Sequence, residues 1–243
     1  ALRTCLIKSQ NYRGKNWMIV KSDFSEIDHV ISSLKIGKVD GILADLGVSS
    51  HQIDTVERGF SYATNGPLDM RMDRDSYLSA EVVVNTYSEN ELERIFREYG
   101  EERYSGRIAA NIVRDRKTEP FKTTMQLARK ISSYMPSRGH EEDQHPARRC
   151  FQAIRIEVNH ELQSIEKLLK DGPMCLKPGG RMAVISFHSL EDRIVKKRFS
   201  TFCEGCTCPP EFPVCVCGKK PTVRALTRKP LTPGNDELEI NPR

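Results

Sequence analysis

Three features of this 243-residue chain predict an α/β protein built on a doubly wound parallel sheet, with an all-helical insertion between its strands. Short apolar runs at residues 18–20, 42–44 and 182–185 have the length and composition of buried strands. Helical apolar spacing separates the first two runs, which is the alternation of a parallel sheet. Between residues 75 and 146 that rhythm stops and consecutive amphipathic helices take over.

Each element has its own signal. Leu2, Cys5 and Leu6 make residues 1–12 the end of a helix, and Met18, Ile19 and Val20 read as a buried strand. Ser25 with Asp28 gives a capping-like start to a helix whose Ile27, Val30, Ile31 and Leu34 share a face. Ile42, Leu43 and Ala44 form a run typical of a strand buried on both faces, ending at Asp45. Residues 46–75 carry turn chemistry (Gly47, Gly59, Asn65-Gly66-Pro67) with apolar side chains between, which predicts an ordered functional loop. Ser88 and Glu91 form a capping box before Leu92, Ile95, Phe96 and Tyr99. Ile108, Ala109, Ile112 and Val113 mark a second helix, and Leu127 with Ile131, after Thr123-Thr124, a third.

Residues 136–146, with Pro136, Gly139 and Pro146, predict an exposed loop. One long helix then carries Phe151, Ile154, Val158, Leu162, Ile165 and Leu169. Lys177-Pro-Gly-Gly180 closes the connection before the strand Met182-Ala-Val-Ile-Ser186. Ser189 and Asp192 start a basic helix, and residues 223–226 read as a last strand. The resulting division assigns residues 1–74 and 147–243 to the sheet-bearing core and 75–146 to an inserted helical domain.

Composition narrows the function. The mean hydropathy is −0.52, and no apolar run approaches the roughly 18–20 residues that cross a bilayer. The net charge is +5, unevenly spread: residues 193–230 hold nine Lys/Arg against Glu204 and Glu211, a local +7. Such a segment suits contacts to a phosphate backbone, or is simply a solvated face. Five of the eight cysteines fall within residues 203–217, which suggests a metal more than disulfides. Cys206, Cys208, Cys215 and Cys217 would form a tetrathiolate zinc site, with Cys203 and Cys206 offering the more usual Cys-x2-Cys spacing. His140 and His145 have near-ligand spacing but sit in a polar loop and read as exposed.

Asp45 is a carboxylate at the carboxyl end of a buried strand, where open α/β sheets bind ligands, and Gly47 lets the backbone approach one. An ordinary strand-ending turn would look the same over residues 40–52. Read together, however, Asp45-Leu-Gly-Val-Ser-Ser-His-Gln52, Arg58-Gly-Phe-Ser61 and Gly66-Pro-Leu-Asp-Met-Arg-Met72 resemble the signature of the RsmH (MraW) family. Tyr99-Gly-Glu-Glu-Arg103, Phe151-Gln-Ala-Ile-Arg155 with Val158-Asn159, Lys177-Pro-Gly-Gly180 and Ser186-Phe-His-Ser-Leu-Glu-Asp-Arg193 continue it in order. The resemblance covers nearly the whole chain.

The resemblance implies a Rossmann-like methyltransferase fold with a helical substrate-recognition insertion. It implies methyl transfer from S-adenosylmethionine to N4 of a cytidine in the decoding region of small-subunit ribosomal RNA. Naked RNA or the assembling small subunit would be the partner, in bacterial cytoplasm or an organelle. By the same resemblance Phe24, Asp45 and Gln52 bind the cofactor: an apolar face for adenine, an acceptor and an amide. Asp23 either reaches the adenine amine or caps a helix. Asp45 is also the tentative catalytic residue. In residues 187–193, at the end of the later strand, His188, Glu191, Asp192 and Arg193 are candidates to line the target pocket, His188 being either a substrate contact or a structural histidine. Arg71 and Arg155 are candidate RNA contacts.

Methylation at carbon 5 would need a cysteine nucleophile, and the Pro-Cys dipeptide of such enzymes is missing, which favours nitrogen. Asn/Asp-Pro-Pro-Tyr is missing too, so N4 rests on the resemblance. The family also carries a glycine-rich turn after its first strand and an acidic residue after its second. Neither occurs after Ala1, so the sheet is expected to lack its first strands and this polypeptide alone to bind cofactor weakly or not at all. The rival reading is a non-catalytic RNA-binding or ribosome-assembly protein of the same fold.

Overall fold

The computed structural model describes residues 18–135, 145–209, 211–214, 216–227 and 229–240. Among these, β1 (Val39–Asp45) and β2 (Leu176–Ile185) pair in parallel as a two-stranded sheet. The register runs from Gly41 opposite Arg181 to Asp45 opposite Ile185. Val39, however, pairs with Leu176, so residues 177–180 bulge out opposite Asp40. Lys177-Pro-Gly-Gly180 is therefore part of the strand and does not precede it. Pro178 has no N–H for a ladder, and the bulge accommodates it.

The sheet is covered on one side only. Ile42 and Ala44 are buried, while Leu43 is 70% exposed, so the expected two-sided burial of β1 is not found. Ala44 and Leu46 pack against Ile165, Leu168 and Leu169, with Ile27, Met182, Val184, Ile194 and Phe199 at the margin. Residues 18–20 and 223–226 form no strand among the described residues. Short β-prone runs become strands only where a neighbour takes up their N–H and C=O groups. Here β1 and β2 pair with each other, and Met18 and Leu226 stay exposed.

Helix α1 (Ile27–Ser33) follows a 3-10 turn at Phe24–Glu26. The 3-10 turn, not the helix, carries the side-chain cap, and the cap is Asp23, not Ser25: the carboxylate accepts the Ser25 N–H at 2.8 Å, and Ser25 is already inside the turn and buried. Helix α2 (Ser50–Asp54) opens on a capping box between Ser49 and Gln52. Next come α3 (Ala80–Thr86), which the sequence reading did not anticipate, and α4 (Glu89–Glu98), with the expected box between Ser88 and Glu91. Helices α5 (Ser105–Asp115) and α6 (Thr124–Tyr134) complete the set, α6 capped by Thr123. These pack around Leu92, Ile95, Phe96, Ile108, Ile112, Leu127 and Ile131, all fully buried. Each such side chain contributes roughly 1.5–3 kcal/mol, whereas helices this short are marginal alone.

The expected long helix is two: α7 (Arg148–Asn159) and α8 (Glu161–Asp171), separated by His160 at φ 50°. The break lets the two serve different cores. From α7, Cys150, Ile154 and Val158 join the helical core, which also takes Leu68 and Met70 from the loop. From α8, Ile165, Leu168 and Leu169 serve the sheet. Helix α9 (Ser189–Cys203) follows β2, and α10 (Asn235–Ile240) is short and exposed. The expected helix at 1–12 and most of the loop at 136–146 lie outside the described residues.

Candidate functional site

Both strands of the parallel pair end at one level, Asp45 opposite Ile185. The Asp45 carboxylate is exposed and has no hydrogen-bond or ion-pair partner among the described residues. Leu46 N–H reaches Ile185 O at 3.1 Å, carrying the pairing one residue further. Gly47 then turns at φ 78°, and a Cβ there would stand 3.8 Å from Glu191 Oε1 and 3.9 Å from the Phe187 ring. The segment after β1 thus lies against the segment after β2.

That second segment begins α9, with His188 at the N-cap. Glu191, in the first turn, is fully buried; its Oε2 accepts the Phe187 N–H at 2.8 Å, and its Oε1 lies 3.2 Å from His188 Nε2. Burial pushes this carboxyl upward, but the His188 ring and the Phe187 amide together hold it below the usual carboxylate range. Behind it sits Glu161, the first residue of α8, held by both arms of Arg155 at 2.8 and 2.9 Å. Burial keeps the Glu161 carboxyl above its ordinary range in spite of that bridge.

Glu161, His188 and Glu191 offer ligand atoms within 4.8 Å of one another. Both imidazole nitrogens and Glu191 Oε1 are buried without a well-formed hydrogen bond. A cation here would have to displace the guanidinium that occupies both Glu161 oxygens. The unsatisfied positions are therefore on His188 and Glu191, and they suit a hydrogen-bonding group better than a metal.

Other segments close on the same place. Glu101, at φ 49°, accepts from Ser189 Oγ and from Arg193, each at 2.9 Å, and these two hold its carboxyl below the ordinary range. Asn159, at the end of α7, accepts the Met72 N–H at 2.6 Å and donates to Met70 O at 2.8 Å. Arg58 donates to Arg71 O and to Met72 O. The motifs at 45–52, 58–72, 99–103, 151–159 and 186–193 are in this way linked through side chains or close packing.

The remaining expected residues fall as follows. Phe24 is 39% exposed in its 3-10 turn. Gln52 uses its Oε1 for the Ser49 N–H at 2.9 Å and the Ser49 hydroxyl at 3.0 Å, and its amide nitrogen has no partner among the described residues. Among the described residues no hydrogen bond joins Asp45, Phe24 and Gln52. Asp23 is a cap, and its second oxygen takes the Ser164 hydroxyl at 3.4 Å.

Arg71 pairs with Asp69 and donates to Arg74 O and Ser76 O, while Arg155 is bound to Glu161. Both guanidinium groups are engaged within the protein, Arg71 keeping 27% and Arg155 18% of its side chain exposed. His145 stacks on Tyr62 with ring centroids 4.8 Å apart. The sulfur atoms of Cys206, Cys208 and Cys217 lie within 4.8 Å of one another; Cys215 and His140 lie outside the described residues. The sequence reading missed Glu161, which in sequence is one acid within what reads as a single continuous helix.

Comparison with known proteins identifies the family. Relatives called ribosomal RNA small subunit methyltransferase H include one from Caldicellulosiruptor saccharolyticus, 55% identical over 97% of this chain and 76% of its own length. Another from Symbiobacterium thermophilum is 51% identical over 95% of this chain and 72% of its own length. One from Clostridium botulinum is 49% identical over 99% and 78%. The model of the MraW methylase family matches residues 2–243, and this chain belongs to that family.

Proposed function

We propose that the protein transfers a methyl group from S-adenosylmethionine to N4 of a cytidine in the decoding region of small-subunit ribosomal RNA. The observation that carries the reading is the unpartnered Asp45 carboxylate, which stands at the ligand-binding edge of a parallel pair beside the 187–191 segment. The residues present fit the cofactor: an exposed Phe24 ring for adenine, the Asp45 acceptor and the Gln52 amide nitrogen. When bound, S-adenosylmethionine supplies an electrophilic methyl on sulfur. The chain's part is to hold the amine in line, exclude water and accept charge that develops on nitrogen. His188, at the mouth of α9, is the group we place nearest the target base.

The same reading gives the chain a cytoplasmic setting and the small ribosomal subunit or its RNA as partner. It also assigns a structural zinc to Cys206, Cys208, Cys215 and Cys217. Residues 75–146, in this reading, form the substrate-recognition insertion. The test is Asp45→Ala in the full-length protein, assayed on small-subunit particles that lack the modification. Methylation should fall at least about 100-fold while the variant melts normally, since the loss of one preorganised polar contact in a reacting site is worth that much. Activity within threefold of the parent would remove Asp45 from the scheme.

A further inference from the structure

The basic segment after α9 is pinned in an unusual way. It holds almost no buried apolar residues: Phe212, Val214, Val216 and Leu226 are each at least half exposed. Hydrophobic burial cannot give it one conformation. What holds it are polar ties to the end of α9. Thr222 N–H reaches Phe202 O at 3.0 Å, and Lys219 pairs with Glu204 at 3.1 Å. Between these, Cys206 Sγ and Cys217 Sγ stand 3.7 Å apart, Cys208 is in the same cluster, and the Cys208 N–H points at Cys206 Sγ from 3.4 Å.

These distances match a metal. Two thiolates at about 2.3 Å from a tetrahedral zinc stand about 3.8 Å from each other, whereas a disulfide would bring them to about 2.05 Å. A backbone N–H on a ligand sulfur is the kind of outer contact that orients and tunes a metal-bound thiolate. The thiols of Cys206, Cys208 and Cys217 are therefore placed to ligate one ion, the outermost two 11 residues apart.

We infer that this metal clip shapes a nucleic-acid-binding arm, so that RNA affinity depends on zinc while cofactor binding does not; the inference rests on the zinc assignment made above. The clip turns the chain so that Lys220 and Arg224, both exposed, lie on the segment tied to the end of α9. That helix itself exposes Lys196 and Lys197. Residues 193–230 carry a net +7 in sequence, so the arm and the helix it is tied to are cationic. Its partner is a polyanion of regular charge spacing, a phosphate backbone, read without regard to sequence. Phe212, 50% exposed in the same segment, offers a ring on which an unpaired base can stack.

The experiment uses the full-length protein, prepared under reducing conditions, with three readouts: zinc content by mass spectrometry, affinity for a decoding-region RNA hairpin across a salt series, and cofactor affinity. Wild type should carry about one zinc per chain. Cys217→Ser should lose it and bind the hairpin about tenfold more weakly with a shallower salt dependence, its cofactor affinity unchanged. Lys220→Ala with Arg224→Ala should keep the zinc yet weaken RNA binding, reducing the salt slope by about 2, close to one unit per phosphate contact. A wild type free of zinc overturns the metal assignment. A zinc-loaded wild type whose RNA affinity and salt slope survive both variants overturns the arm and leaves the metal standing.

Discussion

Asn159 offers the sharpest test of how the site is held. Its side chain accepts the Met72 N–H and donates to Met70 O and Arg155 O, at 2.6, 2.8 and 2.8 Å. The first two bonds reach across 87 and 89 residues. Met70 is fully buried, with φ 57°, so its carbonyl has no easy substitute partner. Asn159→Ala leaves one backbone donor and one acceptor of the loop unpaired, and each such group costs about 1–3 kcal/mol when shielded from water. Taking the lower half of that range for a partly buried site, the loss is about 3 kcal/mol. In a domain of this size that is a fall in Tm of roughly 6–12 °C.

Asn159→Asp is the informative control. A carboxylate still accepts from Met72 but faces Met70 O with a second acceptor, so it should recover little. The measurement is thermal and urea unfolding of the parent and both variants, with hydrogen exchange at the Met72 amide. A loss below about 1 kcal/mol for Asn159→Ala, or unchanged Met72 protection, would refute the claim that this side chain anchors the loop. Recovery by Asn159→Asp would show that only the Met72 bond matters.

Other expectations are simpler. Gly59 sits at φ 67°, and a Cβ there would come within 2.0 Å of Pro67 O, so Gly59→Ala should cost at least about 3 kcal/mol in urea unfolding and disturb the 66–72 segment. Ser88→Ala removes half of the α4 capping box and should cost about 1 kcal/mol, read from the same curves. Lys130, Tyr134 and Arg114 hold the Asp115 carboxyl down at about 2, against 3.8 in the unfolded chain. A depressed folded pKa means that this contribution is complete above about pH 4 and is lost as pH falls toward 2. Asp115→Asn should therefore lower stability at neutral pH and flatten the acid limb of a stability-against-pH curve; an unchanged acid limb would count against the pairing.

Much of the fold was legible because local signals carried it. The capping box at Ser88 and Glu91, the apolar spacing of Leu92, Ile95 and Phe96, and the strand ending at Asp45 all depend on residues within one or two turns of each other. What failed was non-local. Residues 18–20 and 223–226 have strand composition, but only a pairing partner makes a strand, and sequence composition does not say whether one is there. The helix through residues 148–171 keeps its apolar period across His160, so periodicity hides the break; its cause is geometric, in the separate cores that α7 and α8 must reach. Arg71 and Arg155 looked available because charge alone does not show that a nearby carboxylate, Asp69 two residues away or Glu161 six residues away, turns back onto each guanidinium.

The same distinction explains why the site lies where it does. Asp45 and His188 each end up at the sheet edge through local chain geometry, one closing β1 and the other capping α9. The groups that hold their surroundings come from the helical unit. Arg155 on α7 grips Glu161 on α8 across the break at His160, and Glu101, beyond α4, grips Ser189 and Arg193. A shift of the helical core against the sheet must therefore strain the buried Arg155–Glu161 bridge or break the Glu101 contacts. Breaking such a bridge one-sidedly strands a buried charge at a cost of several kcal/mol, so the two cores are coupled at this seam. Placing the reacting edge there makes its geometry depend on both units being docked, which a site built on the sheet alone would not.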